Sequence, residues 1–313
     1  MLRIFTLALW VAVSGFTLAS EPHKRESNRV SSPLTWYDWI ANVPRDYSLF
    51  YHRVFREEAL PSITLVAASS AVLWLYDEEL LAAGERWGRM WGISPNDNMD
   101  TVARVGGFPI QMPTDTGSAL YFIGDGWTHA SIATMYLSYG GAFHEVRALH
   151  TASQMAEAIL NTGILVQVLK HVTGRESPLV RTGERGVWRM LPDQKKYHQH
   201  VSNYDAYPSG HVATAMATMT VMAGNYPEYA TGIQIVGYPL ITLLSLQMLN
   251  NGVHWASDYP LGLALGYTFG RIAVENGKQP IPGVRATWWE RTKLMPLSPG
   301  SAGYYGMQMI TVL

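Results

Sequence analysis

The chain has 313 residues, of which 48% are hydrophobic and 15% charged, with a formal net charge of -1 and no cysteine. This length suits one large domain or two small ones with a sizeable core, and the charged share lies below the roughly 25% usual in soluble domains, so much of the chain must be buried in protein or lipid. A near-neutral balance leaves no basic footprint for nucleic acid, and the absence of cysteine excludes disulfides, thiolate metal sites and cysteine nucleophiles.

The N-terminus reads as a secretory signal over residues 1–19: a basic start at Arg3, an apolar run from Ile4 to Leu18, and a small-residue site at Ala19 before a polar stretch. The apolar run is shorter than the roughly 20 residues that cross a bilayer. Export to a bacterial periplasm or cell envelope is therefore the expectation. Residues 20–58 are polar with scattered aromatics and read as a lead-in segment of short helices. Leu60 to Tyr76 is almost uncharged, with Pro61 placed where a first helical turn tolerates it; at this length a buried core helix is favoured over a membrane helix. Asp77 to Trp91 has the pattern of an amphipathic helix, and Gly92 to Asp115, rich in Gly, Pro and Asn, reads as loop.

Thr116 to Tyr139 reads as one helix containing Gly124-Asp125-Gly126, a signature of close backbone approach. Phe143 to Lys170 continues the helical pattern, stopped by Gly174 and Pro178. Leu179 to Tyr207 is then a long polar loop, of a length usually reserved for function, carrying Arg181, Arg185, Arg189, Lys195, Lys196, His198 and His200. Val212 to Met222, Ile233 to Leu249 and Leu261 to Val274 are further apolar helices. The C-terminus has two strand-like runs around Ser298 to Gly303 that suit a hairpin or an extended arm. The expected architecture is all-α: a single-domain helical bundle of six or more helices over residues 59–275, followed by a C-terminal extension over 276–313.

Two short stretches carry chemistry. In Pro208-Ser209-Gly210-His211, Ser209 sits where a helix N-cap belongs, Gly210 lets a backbone N–H approach a ligand, and His211 enters the first turn. Exposed N–H groups at a helix N-terminus favour an anion such as phosphate; an ordinary cap beside a surface histidine has the same sequence. In His254-Trp255-Ala256-Ser257-Asp258, a carboxylate four residues after an imidazole can hold one ring nitrogen and leave the other basic. That arrangement suits an activated nucleophile, and equally a structural His–Asp pair. Lys170 and Arg175, at the end of the preceding long helix, are candidate phosphate ligands or simple C-terminal cations.

The order of these pieces, a lysine segment ending in Gly-Arg-x-x-Pro, then Pro-Ser-Gly-His, then His-x-x-x-Asp, resembles the type 2 phosphatidic acid phosphatase superfamily over roughly residues 150–275. That superfamily includes lipid phosphatases, bacterial class A acid phosphatases and vanadium haloperoxidases. The resemblance implies an all-helical core in which His254 attacks phosphorus to form a phosphohistidine and Asp258 orients it. It also implies that His211 protonates the leaving oxygen while Lys170, Ser209 and the Gly210 backbone hold the phosphoryl oxygens, with no metal and no cofactor. The implied partner is a phosphorylated small molecule or lipid, with membrane association left open.

Two positions depart from the family pattern. Ser177 stands where the first motif has arginine before proline, and Met248 stands where the third motif has arginine six residues before the histidine. Both missing groups are bidentate phosphate clamps, and losing one such donor costs about 100- to 1,000-fold in rate. Arg175, two residues before Ser177, is the expected partial substitute. The alternative is a weak or inactive relative that binds a phosphorylated lipid or envelope component.

Overall fold

The computed structural model of the protein describes residues 37–277, 292–296 and 307–311; the N-terminal signal reading lies outside them. Helices α1 (Asp38–Ala41) and α2 (Val43–Val54) lead into α3 (Leu60–Leu75) and α4 (Asp77–Met90), followed by strands β1 (Met99–Val105) and β2 (Phe108–Pro113). Then come α5 (Thr116–Phe122), α6 (Gly126–Phe143), α7 (Val146–Thr173), the short α8 (Gln194–Gln199), α9 (Gly210–Asn225), α10 (Ala230–Asn250) and α11 (Tyr259–Asn276). Strands β3 (Thr292–Pro296) and β4 (Met307–Thr311) pair antiparallel, so the C-terminal runs form the hairpin. The fold is all-α apart from the two hairpins.

The centre is the pair α9 and α11, flanked by α7, with α10 and α4 closing the other side and α6 lying on α7. What lets α9 and α11 touch is the spacing of Gly262, Gly266 and Gly270 along one face of α11. A Cβ at Gly262 would come within 2.6 Å of the Ser209 carbonyl oxygen, and one at Gly266 would collide with the Ala213 carbonyl oxygen. Backbone contact at this face ties the start of α9 to the start of α11: the Ser209 N–H donates to the Asp258 carbonyl at 3.0 Å. The largest apolar cluster joins Leu73, Leu80, Val212, Met216, Leu244, Met248, Tyr259 and Leu263 beneath this junction. Each fully buried side chain of that size contributes about 1.5–3 kcal/mol.

Three sequence expectations need correction. Helix α3 is not a core helix: only Ser69 and Leu73 are buried in it, while Leu60, Ile63, Val72 and Leu75 face outward. Its uniform apolarity has no polar side to direct, which is why burial could not be read from its pattern. Within the span read as loop, Gly106 and Gly107 have φ of 56° and 86° and turn the β1–β2 hairpin, the Gly-Gly signal of a two-residue hairpin turn. The single helix expected over Thr116 to Tyr139 is two helices. Asp125 caps α6 by accepting from the Trp127 N–H at 2.7 Å. The expected tight approach is present at Gly124, where a Cβ would lie 2.6 Å from the His211 Cβ.

Candidate active site

The cis Tyr207–Pro208 peptide leads into Ser209 at the N-cap of α9. Ser209 makes no side-chain cap; its buried hydroxyl lies 3.9 Å from the Met248 sulfur. The first-turn N–H groups of α9 are thus not capped by the Ser209 side chain. A Cβ at Gly210 would meet only Val166 at 3.5 Å, an ordinary contact, so packing does not require glycine there.

His211 projects from the first turn against the Tyr121 ring, with centroids 4.5 Å apart, and its ring lies 6.2 Å from that of His254. Among the described residues the His211 ring nitrogens make no hydrogen bond. Burial first, then the neighbouring His254, Lys170 and His129, pushes its pKa down to about 3. Burial disfavours the charged imidazolium, and each added positive neighbour disfavours it further. These surroundings hold His211 neutral.

His254 is 2% exposed. Its Nδ1 lies 2.7 Å from the Ala206 carbonyl and 3.4 Å from Asp258 Oδ2. Both neighbours are acceptors, so Nδ1 carries the proton and Nε2 keeps a free lone pair. The Asp258 carboxylate is within reach of Nδ1, and the Ala206 carbonyl makes the shorter contact. Asp258 is itself fixed, with Oδ2 accepting the Trp255 N–H at 2.7 Å within the 3-10 turn Ala256–Asp258.

Arg175 differs from its expected role as a phosphate ligand. Its guanidinium is fully buried between the Trp188 and Trp255 rings, 4.9 Å and 5.3 Å from their centroids. It donates to Asp258 Oδ1 at 2.5 Å, Ser257 Oγ at 2.7 Å, Asp77 Oδ2 at 2.7 Å and the Arg185 carbonyl at 2.9 Å. Its terminal nitrogens are committed to protein acceptors, which takes it out of contention as the missing clamp.

Lys170, 6% exposed near the end of α7, reaches Asp205 Oδ2 at 3.2 Å. The loop cations are also engaged. Arg189 pairs with Glu176 at 3.2 Å, Arg181 lies 3.9 Å from Glu78, and the Arg185 guanidinium sits over Trp74. Ser177 and Met248 are both buried, so the two positions that departed from the pattern line the interior with groups that bring no charge.

Sequence reasoning missed Asp205 and Asp77. Asp205 lies four residues before Ser209, in a loop with no period to mark its direction. Asp77 lies 180 residues before Ser257, to which it binds through both the N–H, at 3.0 Å, and the hydroxyl, at 2.6 Å. An acidic residue opening a helix is what the macrodipole favours anywhere, so nothing in sequence distinguished Asp77. Burial raises its pKa to about 6, opposed first by Arg175 and reinforced by Asp258.

The histidine pair, the opened helix terminus and the single lysine coincide with a recognised sequence family. Residues 151–279 match the PAP2 superfamily model. This likeness covers less than half of the chain. A lipid A 1-phosphatase from Porphyromonas gingivalis is 30% identical to the chain over 94 residues, which cover 30% of the chain and 20% of that relative. The chain therefore aligns with about a fifth of the length of that curated relative. No solved structure gives a significant match. His211, His254, Asp258, Lys170, Ser209 and Gly210 all fall within the PAP2 segment, whereas Asp77 and Tyr121 lie before it.

Proposed function

We propose that the protein is a phosphoric ester hydrolase that acts on lipid phosphates, at a bacterial envelope to which it is exported, through a phosphohistidine on His254. One observation carries the reading: His254 Nδ1 is held by Ala206 and Asp258, and the His254 ring lies edge-on to that of His211 with centroids 6.2 Å apart. A nucleophile needs about 3–3.5 Å to the reacting atom and a proton donor about 2.6–3.2 Å to its oxygen, so two rings this close can serve one phosphoryl group lying beside both, His254 at phosphorus and His211 at an ester oxygen.

In the first step His254 Nε2 forms a bond to phosphorus as the bond to the leaving oxygen breaks, and that oxygen takes a proton from His211. In the second, water activated by the now neutral His211 attacks phosphorus, releasing His254 and inorganic phosphate. Because burial and its cationic neighbours hold His211 neutral, the dianionic phosphate must recruit the proton; a nearby anion favours the charged imidazolium. Lys170 and the α9 N-terminus hold the phosphoryl oxygens, and Gly210 leaves room for them. The likeness to a lipid A 1-phosphatase supports lipid phosphate as the substrate class. Apolar side chains exposed on the 179–207 loop, Leu179, Met190 and Leu191 at 70%, 63% and 74%, also suit acyl chains.

Membrane association belongs to the same reading. Glu57–Leu75 and Ala230–Asn250 are long and apolar enough to cross a bilayer, and only 11% and 39% of them are buried. Apolar faces of this extent mark contact with a partner or lipid.

A binding-only relative is favoured by one observation: among the described residues, no guanidinium is free at the site. Metal-free purified protein assayed on p-nitrophenyl phosphate and on lipid phosphates, beside His254→Ala and His211→Ala, separates the readings. Release by wild type with acid-labile phosphate trapped on His254 is the expected result. Phosphate binding without release above the variants would establish the binding-only relative.

A further inference from the structure

Both oxygens that hold His254 Nδ1 are placed by one residue. The backbone of Arg175 is paired with Trp188 on one side and Asp205 on the other, and its carbonyl accepts the Ala206 N–H at 3.0 Å, which sets the peptide whose oxygen meets Nδ1. Its side chain donates to Asp258 Oδ1, leaving Oδ2 toward the imidazole. The guanidinium is in turn gripped by Asp77 from the first residue of α4, and Asp77 also fixes Ser257, the neighbour of Asp258, through two hydrogen bonds.

We propose that Asp77 and Arg175 are positioning residues for the His254 nucleophile, Arg175 by setting both acceptors of Nδ1 and Asp77 by balancing the guanidinium charge. The inference rests on the phosphohistidine reading. Phosphorylation of Nε2 leaves the ring with a positive charge that Asp258 stabilises. One guanidinium against Asp258 alone would cancel that carboxylate, whereas Asp77, Arg175 and Asp258 together keep one net negative charge beside the ring. All three side chains are fully buried, so the charge balance is felt at low dielectric. The working site therefore extends beyond residues 151–279 to α4, whose first residue lies 74 positions before that segment.

The test uses the full chain with Asp77→Asn, Asp77→Glu and Arg175→Lys. Outer partners of a functional histidine typically contribute about 10- to 100-fold, so Asp77→Asn is expected to lower kcat by that factor, with KM and inhibition by orthophosphate unchanged. Asp77→Glu, which keeps the charge but shifts it, is expected to fall between wild type and Asp77→Asn. Arg175→Lys, which cannot grip two carboxylates at once, is expected to match Asp77→Asn. Thermal melts and circular dichroism run on each variant. If Asp77→Asn does not fold, the reading passes to Asp77→Glu, where a lower kcat at unchanged phosphate inhibition is the expected result. An active wild type with equal kcat in the folded Asp77 variants overturns the inference and leaves the functional reading standing. Loss of kcat and phosphate affinity together, in proportion to lost stability, also overturns it, because a purely structural role predicts that. A wild type that releases no phosphate removes the functional reading and this inference with it.

Discussion

If Lys170 holds phosphate as proposed, its pairing with Asp205 sets a threshold for phosphate entry, and Asp205→Asn measures it. The lysine ammonium is 3.2 Å from the carboxylate, with the two side chains 8% and 28% exposed. A phosphate that uses Lys170 must displace Asp205 from it and then tolerate that carboxylate as a like-charged neighbour. Hydrogen bonds to charged groups are worth about 1.5–3 kcal/mol net, and each 1.4 kcal/mol is about tenfold in affinity. Asp205→Asn is therefore expected to tighten competitive inhibition by orthophosphate or vanadate about 10- to 100-fold. The same change strands a buried lysine, so the variant melts below wild type in plain buffer and gains more from added phosphate. Inhibition constants from initial rates, with melts at matched phosphate, read both effects. An unchanged or weakened inhibition constant would refute the idea that Asp205 competes with the ligand for Lys170.

A second prediction concerns the far side of the bundle, where Asp46 and Glu157 are buried together. Asn42 donates to Glu157 at 2.8 Å, Asn161 to Asp46 at 2.6 Å, and Asn276 to both carboxylates. Burial raises the Asp46 pKa from 3.8 to about 7, against the lowering effect of Asn276, Glu157, Arg45 and Asn161, and raises Glu157 well above its usual range. A folded-state pKa above the unfolded value means stability present at low pH and lost as pH rises through about 7. Asp46→Asn should shrink the loss of stability that Asp46 contributes between about pH 4 and pH 7, read as Tm across that range; an equal pH dependence in wild type and variant would contradict this assignment. A third prediction is that Gly266→Ala wedges α9 from α11, since the added Cβ meets the Ala213 carbonyl oxygen and carbon rather than a movable side chain. Overpacking of this kind costs about 1–3 kcal/mol, or about 2–12 °C in Tm at this size, measured by thermal denaturation. Finally, Val72→Glu and Ile63→Glu, on the exposed side of α3, should reduce co-sedimentation with lipid vesicles while leaving the melt of detergent-solubilised protein unchanged. Undiminished sedimentation would exclude α3 as a lipid contact.

Much of this was legible from local patterns. Gly174 ends α7 with φ of 54°, Pro260 opens α11 within its first turn, and Ser209 stands at the N-cap of α9. These features depend on backbone preferences within a few residues, which sequence displays directly. The exposure of α3 was not legible, because an apolar stretch carries no mark of what covers it. The β1–β2 hairpin was passed over because its Gly-Gly turn was read as part of a loop composition.

Residue type and spacing alone determined the all-α class, the helix ends and the identity of the two histidines, since these follow from short-range sterics and from the chemistry a side chain can perform. The tertiary structure decided where charge goes. Arg175 stands two residues from a vacant arginine position and was the natural substitute on sequence, yet packing places it between two tryptophans and gives it to Asp77 and Asp258. Lys170 is paired with Asp205. These ion pairs are chosen by proximity across 35 to 98 residues of chain, and only folding sets that proximity.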